Sequence, residues 1–130
     1  MTDLPLISIV DDDEGVRTAI ESLVTSLGLA ARTYSSAESF LRSPLRSETA
    51  CIILDVQMPA MSGVELHSHL SKLGFDIPII FITAYPDKVD KAHALNAGII
   101  SVLHKPFDEE RLVEGINVAL RRRRGPAPAV

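Results

Sequence analysis

The sequence predicts an α/β fold, a doubly wound five-stranded parallel sheet covered by helices on both faces. Three observations predict it. Four short apolar runs, LISIV (6–10), CIIL (51–54), IPIIFI (77–82) and IISVL (99–103), lack the polar alternation of a half-exposed strand. Strands buried on both faces become continuous apolar runs of this kind. The segments between them carry apolar residues at helical spacing. Strand and helix patterns then alternate along 130 residues, a length that suits one domain with a sizeable core.

Each element has its own signal. The first run ends in VDDDEGVR (10–17), where four acids follow one another. Like charges this close repel, so the acids are either a solvated turn or a site for something positive. Val16, Ile20, Leu23, Val24 and Leu27 then form one helical stripe, with Gly28 as its stop. AARTY (30–34) is a weaker strand signal and fits a sheet edge. Ser35 and Glu38 have capping-box spacing ahead of Phe40 and Leu41, and RSPLRSET (42–49) reads as a polar surface loop. Cys51, inside ACIIL, reads as a small core residue. Ser62 and Glu65 form a second capping box before Leu66, Leu70 and Leu73, with Gly74 as the stop. Pro86 suits the first turn of a fourth helix ending near Gly98. A fifth runs from Phe107 to about Arg122, with Leu112, Val113, Ile116, Ala119 and Leu120 on one side. GPAPAV at the end has linker composition.

Composition narrows the function. One cysteine excludes an internal disulfide, and without a cysteine framework the chain is expected to be cytoplasmic. MTDLPL has no cationic leader region, and no apolar stretch nears the ~20 residues that a membrane helix needs. A net charge of −4 argues against direct nucleic-acid binding and against an acidic membrane surface. The RRRR run (121–124) suits the C-terminal dipole of a helix and solvent. His67, His69, His93 and His104 have no metal-ligand spacing and are expected to be surface or structural residues.

In open parallel sheets, ligands bind outside the carboxyl ends of the strands. Counting AARTY as the second strand, those ends here are Asp11 and Asp12 after strand one, Asp55 after strand three, Thr83 after strand four, and His104 with Lys105 after strand five. Carboxylates with few other ligands suit Mg²⁺, a hard cation that prefers oxygen. A carboxylate beside such an ion can act as a nucleophile toward phosphorus, and a lysine supplies positive charge to the phosphoryl oxygens. The inventory fits phosphoryl transfer to an aspartate better than hydrolytic acid/base work, which does not need the lysine. Asp13 and Glu14 fall in the first turn of a helix, where acids suit the macrodipole.

VDDDEGVR, ILDVQMPAMSGVEL, FITAY and HKPF together resemble the receiver domain of two-component response regulators, of the nitrogen-fixation and nitrate regulator type. The resemblance covers about residues 5 to 122. It implies a (βα)5 flavodoxin-like fold with strand order 2-1-3-4-5, a receiver domain over residues 1–122 and a linker-like tail over 123–130. It implies Asp55 as phosphoacceptor, Asp12 as a direct Mg²⁺ ligand, Asp11 acting mainly through water, and the Gln57 backbone carbonyl as a further ligand. Thr83 would bond a phosphoryl oxygen and Lys105 would pair with the phosphoryl group. Met58-Pro59 and Gly63 would shape the turn after strand three, and the Lys105–Pro106 bond matches a position that is often cis. The implied donor is a sensor histidine kinase or a small phosphodonor such as acetyl phosphate. The implied readout is altered binding or homodimerisation through the face of helix four, strand five and helix five, serving transcription through a DNA-binding output domain absent from this sequence.

Two features depart from the pattern. Val102 stands where receivers often carry an aromatic switch residue, which leaves Tyr85, two after Thr83, as the nearest aromatic to report phosphorylation. By the same resemblance, Gln57 and Tyr85 occupy the two variable positions that tune dephosphorylation in receivers, and a bulky Tyr85 there predicts a slow loss of the phosphoryl group. Two other functions compete with this one. A phosphatase of the haloacid dehalogenase type also uses an aspartate, Mg²⁺ and a lysine, but carries a second aspartate where this chain has Gln57. A pseudo-receiver that works without phosphorylation would not need the full set of Asp11, Asp12, Asp55, Thr83 and Lys105.

Overall fold

The computed structural model describes residues 4–89 and 98–124. Five parallel strands form one sheet in the order β2-β1-β3-β4-β5. They are β1 (Leu6–Val10), β2 (Ala30–Tyr34), β3 (Thr49–Asp55), β4 (Ile79–Thr83) and β5 (Ile99–His104). The helices are α1 (Glu14–Ser26), α2 (Ala37–Leu41), α3 (Gly63–Lys72) and a C-terminal helix (Glu109–Arg124). The last helix runs two residues into the segment read as tail.

The two faces of the sheet follow from a period of two. Along β3, Ile52 and Leu54 join Phe40, Leu66, Leu70, Ile79 and Phe81 in one apolar layer. Cys51 and Ile53 point the other way and join Ile20, Val24, Ile80, Leu112, Ile116 and Ala119. Each fully buried Ile, Leu or Phe contributes about 1.5–3 kcal/mol, so both faces drive folding. This double coverage is why the strand runs lack polar alternation. β2 lies at an edge, and its Arg32 and Thr33 are exposed.

The helix stops hold. Gly28 and Gly74 adopt φ of +81° and +87°, the left-handed region where a side chain is strained. Ser62 and Glu65 make the reciprocal capping box. Other expectations shift. The cap of α2 is Ser36, not Ser35; its Oγ accepts the Ser39 N–H at 3.1 Å, and the helix is only five residues long. Residues 42–49 are not wholly a surface loop. Arg46–Glu48 form a 3₁₀ turn, and Thr49 is buried at the start of β3, bonded to Ser8 Oγ at 2.7 Å. β4 begins at Ile79 rather than Ile77, because Pro78 has no N–H to donate; its carbonyl accepts the Ile52 N–H at 2.9 Å. Pro86 begins a 3₁₀ turn, Pro86–Lys88. The rest of the expected fourth helix, with His93, lies outside the described residues. Cys51 is a buried core residue as expected, and burial pushes its thiol up to about 12.

Candidate functional site

The strand order brings residues far apart in the chain to one sheet edge. β1 lies beside β3, so Val10 pairs with Leu54, and the next residues, Asp11 and Asp55, emerge side by side. β4 follows β3 and carries Thr83 to the same edge; β5 follows β4 and delivers Lys105. Carboxylate oxygens of Asp11, Asp12 and Asp55 lie within 4.8 Å of one another. Asp11 and Asp55 are buried, whereas Asp12 faces solvent.

Lys105 is the cation among these acids. Its Nζ stands 3.0 Å from Asp11 Oδ2 and 3.4 Å from Asp55 Oδ1. Burial disfavours its charge, but the Asp11 hydrogen bond and the charges of Asp11 and Asp55 outweigh this and raise its pKa. The Asp55 pKa rises as well, but for an acid the rise marks a disfavoured charge. Burial first, then the neighbouring Asp11 charge, push its carboxyl up to about 6, although Lys105 and the Gln57 N–H pull against them. Among the described residues, three carboxylates that meet one ammonium leave the pocket short of positive charge. Hard oxygen donors at this spacing fit a divalent cation such as Mg²⁺.

The loops are built to hold this arrangement. Asp13 caps α1, its Oδ1 accepting the Val16 N–H at 3.1 Å, and Glu14 lies in the first turn. Glu14 thus lies in the first turn as expected, and Asp13 stands one residue earlier, as the cap. Asp11 Oδ1 accepts the Asp13 N–H at 2.8 Å, which fixes the carboxylate that Lys105 meets. After β3 the chain turns back so tightly that the Gly63 N–H donates to Val56 O at 2.8 Å. A Cβ on Gly63 would lie 2.3 Å from the Asp55 carbonyl oxygen, so only glycine allows this approach. Gln57 is exposed, and its N–H points to Asp55 Oδ1 at 3.4 Å. The Lys105–Pro106 peptide is cis.

Thr83 is fully buried, and its Oγ1 accepts the Tyr85 N–H at 2.9 Å, which leaves the hydroxyl proton to donate elsewhere. The Tyr85 side chain is 58% exposed. Val102 is half-buried against the apolar layer that contains Phe81. Among the described histidines, His67 is buried with its ring edge-on to Phe81, and His69 and His104 are exposed, so none joins the site. One contact was not foreseen. Arg17 Nη1 donates to the Asp11 backbone carbonyl at 2.7 Å. A side chain bonding a backbone carbonyl six residues earlier leaves no trace in sequence patterning.

Residues 7–117 match the family model of the response regulator receiver domain. The chain belongs to that family. It is 44% identical over 128 residues to the response regulator protein TodT of Pseudomonas putida, covering 96% of this chain and 56% of that relative. It is 37% identical over 119 residues to the transcriptional regulatory protein FixJ of Rhizobium meliloti, covering 92% and 58%. The chain thus spans little more than half the length of these relatives. Among solved structures, the response regulator StyR matches with a TM-score of 0.85 at 39% identity, over 92% of this chain and 61% of that one. The N-terminal part of FixJ matches with a TM-score of 0.78 at 35% identity, over 93% and 96%. The receiver fold and the strand order read from the motifs are those observed. Receivers are signalling modules of two-component systems and generally bind Mg²⁺ at an acidic pocket. No helix among the described residues is long and apolar enough to cross a membrane.

Proposed function

We propose that Asp55 accepts the phosphoryl group in this receiver and that Asp11, Asp12, Thr83 and Lys105 serve the transfer. The observation that carries the reading is the convergence of three carboxylates with one lysine that reaches two of them. With its carboxyl raised only to about 6, Asp55 is ionised at neutral pH and more basic than an ordinary carboxylate. One of its oxygens forms a bond to phosphorus as the bond from phosphorus to the donor breaks. Lys105 then follows the charge, exchanging Asp55 for a phosphoryl oxygen while keeping Asp11. The Thr83 hydroxyl donates to a second phosphoryl oxygen. A bound Mg²⁺ would be held by Asp12, Asp55 and the Gln57 backbone carbonyl, with Asp11 acting through water, and would neutralise charge on the transferring group.

The phosphoryl group would shift a pre-existing equilibrium between inactive and active states. The kinases that phosphorylate response regulators supply the donor, and a cytoplasmic setting fits that role. The receiver domain would run to the end of the C-terminal helix at Arg124, two residues past the boundary expected at 122, and the residues after it would start a linker toward an output domain, which in a transcriptional regulator binds DNA. Dimerisation would use β5 and the C-terminal helix, together with a fourth helix whose residues lie outside those described. With Val102 in the usual aromatic position, the exposed Tyr85 would report the phosphorylated state and slow its decay. An NMR comparison of the Tyr85 ring with and without a phosphate mimic tests this; one orientation in both states would remove it. The chain would catalyse only its own phosphorylation and dephosphorylation. Gln57, in place of a second acid, counts against multiple turnover of phosphate esters.

The test is acetyl phosphate with Mg²⁺, read by intact mass on wild type and Asp55→Asn. A gain of one phosphoryl group on wild type alone is expected. No gain on wild type, or the same gain on the variant, would overturn the assignment.

A further inference from the structure

Asp12 is the least supported of the three acids. Asp11 is fixed at every polar group: its N–H donates to Tyr34 O at 3.1 Å, its Oδ1 accepts from Asp13 N–H and its Oδ2 meets Lys105. Asp55 receives Lys105 and the Gln57 N–H. The exposed Asp12 carboxylate accepts no hydrogen bond among the described residues. Its direction therefore depends on the peptide that joins it to Asp11.

That peptide has one external tie. Arg17 Nη1 donates to the Asp11 carbonyl at 2.7 Å, a short charge-assisted bond. Arg17 itself is anchored, since its N–H donates to Asp13 O at 3.0 Å in the first turn of α1. The guanidinium thus closes a ring across the loop from the end of β1 to one turn into the helix. With the Asp11 carbonyl held, rotation about the backbone before Asp12 is restricted.

We propose that Arg17 is a positioning residue, which aims the Asp12 carboxylate toward Asp55 by holding the Asp11–Asp12 peptide. Its charge alone works the other way: a cation this close repels Mg²⁺. The two effects give opposite signs when Arg17 is removed, so an experiment separates them. The inference rests on the Mg²⁺ site proposed above.

The experiment titrates Mg²⁺ by calorimetry into the intact chain as wild type, Arg17→Met and Arg17→Lys. Melting curves in EDTA check that each variant folds. Loss of a group that orients a metal ligand typically weakens affinity about 10–100-fold, and Arg17→Met is expected near the lower end, about tenfold. Arg17→Lys keeps a charged donor of similar reach and is expected to recover most of the loss. Under acetyl phosphate, the tenfold deficit of Arg17→Met should appear in the Mg²⁺ concentration for half-maximal rate, with the saturating rate changed much less. Unchanged or tighter binding by a folded Arg17→Met overturns the inference, as does an equal loss in both variants. If Arg17→Met does not fold cooperatively, Arg17→Gln carries the same expectation. A wild type that binds no Mg²⁺ would sink the site itself, an outcome distinct from equal binding by wild type and variant.

Discussion

Replacing Asp55 by Asn should stabilise the metal-free protein. The carboxyl titrates at about 6 instead of 3.8, because burial and the Asp11 charge disfavour its ionised form in the fold. That is a rise of roughly two pH units, and at 1.36 kcal/mol per unit the ionised carboxylate costs about 3 kcal/mol in full. The pocket opens to solvent at Asp12, and screening there reduces the figure to roughly 1–2 kcal/mol. The sign follows from proton linkage: the folded state holds its proton to higher pH than the unfolded state, so stability falls as pH rises from about 4 to about 6. Asparagine never ionises and escapes this loss. Lys105 keeps Asp11 at 3.0 Å in either case. Urea unfolding in EDTA should therefore give similar midpoints near pH 4 and a variant midpoint higher by about 1 M at pH 7.5, for a slope of roughly 1.5 kcal/mol/M. Mg²⁺ should narrow the gap by stabilising wild type more. An Asn variant less stable than wild type at pH 7.5 in EDTA, or a difference independent of pH, would refute the reasoning.

Two further outcomes follow from packing. Gly63→Ala would drive a Cβ to 2.3 Å from the Asp55 carbonyl oxygen, a clash with backbone that no rotamer relieves. It should cost roughly 2–3 kcal/mol in denaturant unfolding and lower phosphorylation by displacing Asp55; wild-type stability would refute the close approach. Cys51 is fully buried with its thiol at about 12, so it should resist alkylation at pH 8 in native buffer and react fully in urea. Rapid native labelling would show that the sheet opens at β3.

Local patterns were legible in the sequence because their causes are local. An apolar run without alternation reports burial on both faces wherever the strand lies in the sheet. Gly28 and Gly74 stop helices through their own backbone freedom, and the Ser62–Glu65 box closes within one turn. The motif positions Asp11, Asp12, Asp55, Thr83 and Lys105 were readable for the same reason, each standing at the end of a recognisable strand. The competition between Ser35 and Ser36 was not readable, since adjacent serines carry the same signal and backbone entry into α2 decides between them.

What only the tertiary structure decided is distance. Asp11 and Asp55 become neighbours because β1 inserts between β2 and β3, an order that periodicity does not encode and that the sequence carried only through its resemblance to receivers. The same convergence raises the Asp55 carboxyl, since the effect depends on burial and on a charge from another strand. The need for glycine at 63 arises from a carbonyl eight residues earlier, and the tie from Arg17 to the Asp11 carbonyl crosses a loop. Periodicity determined which residues face the core and which strand ends carry charge. Strand order, a sum of many weak long-range contacts, determined which of those charges meet.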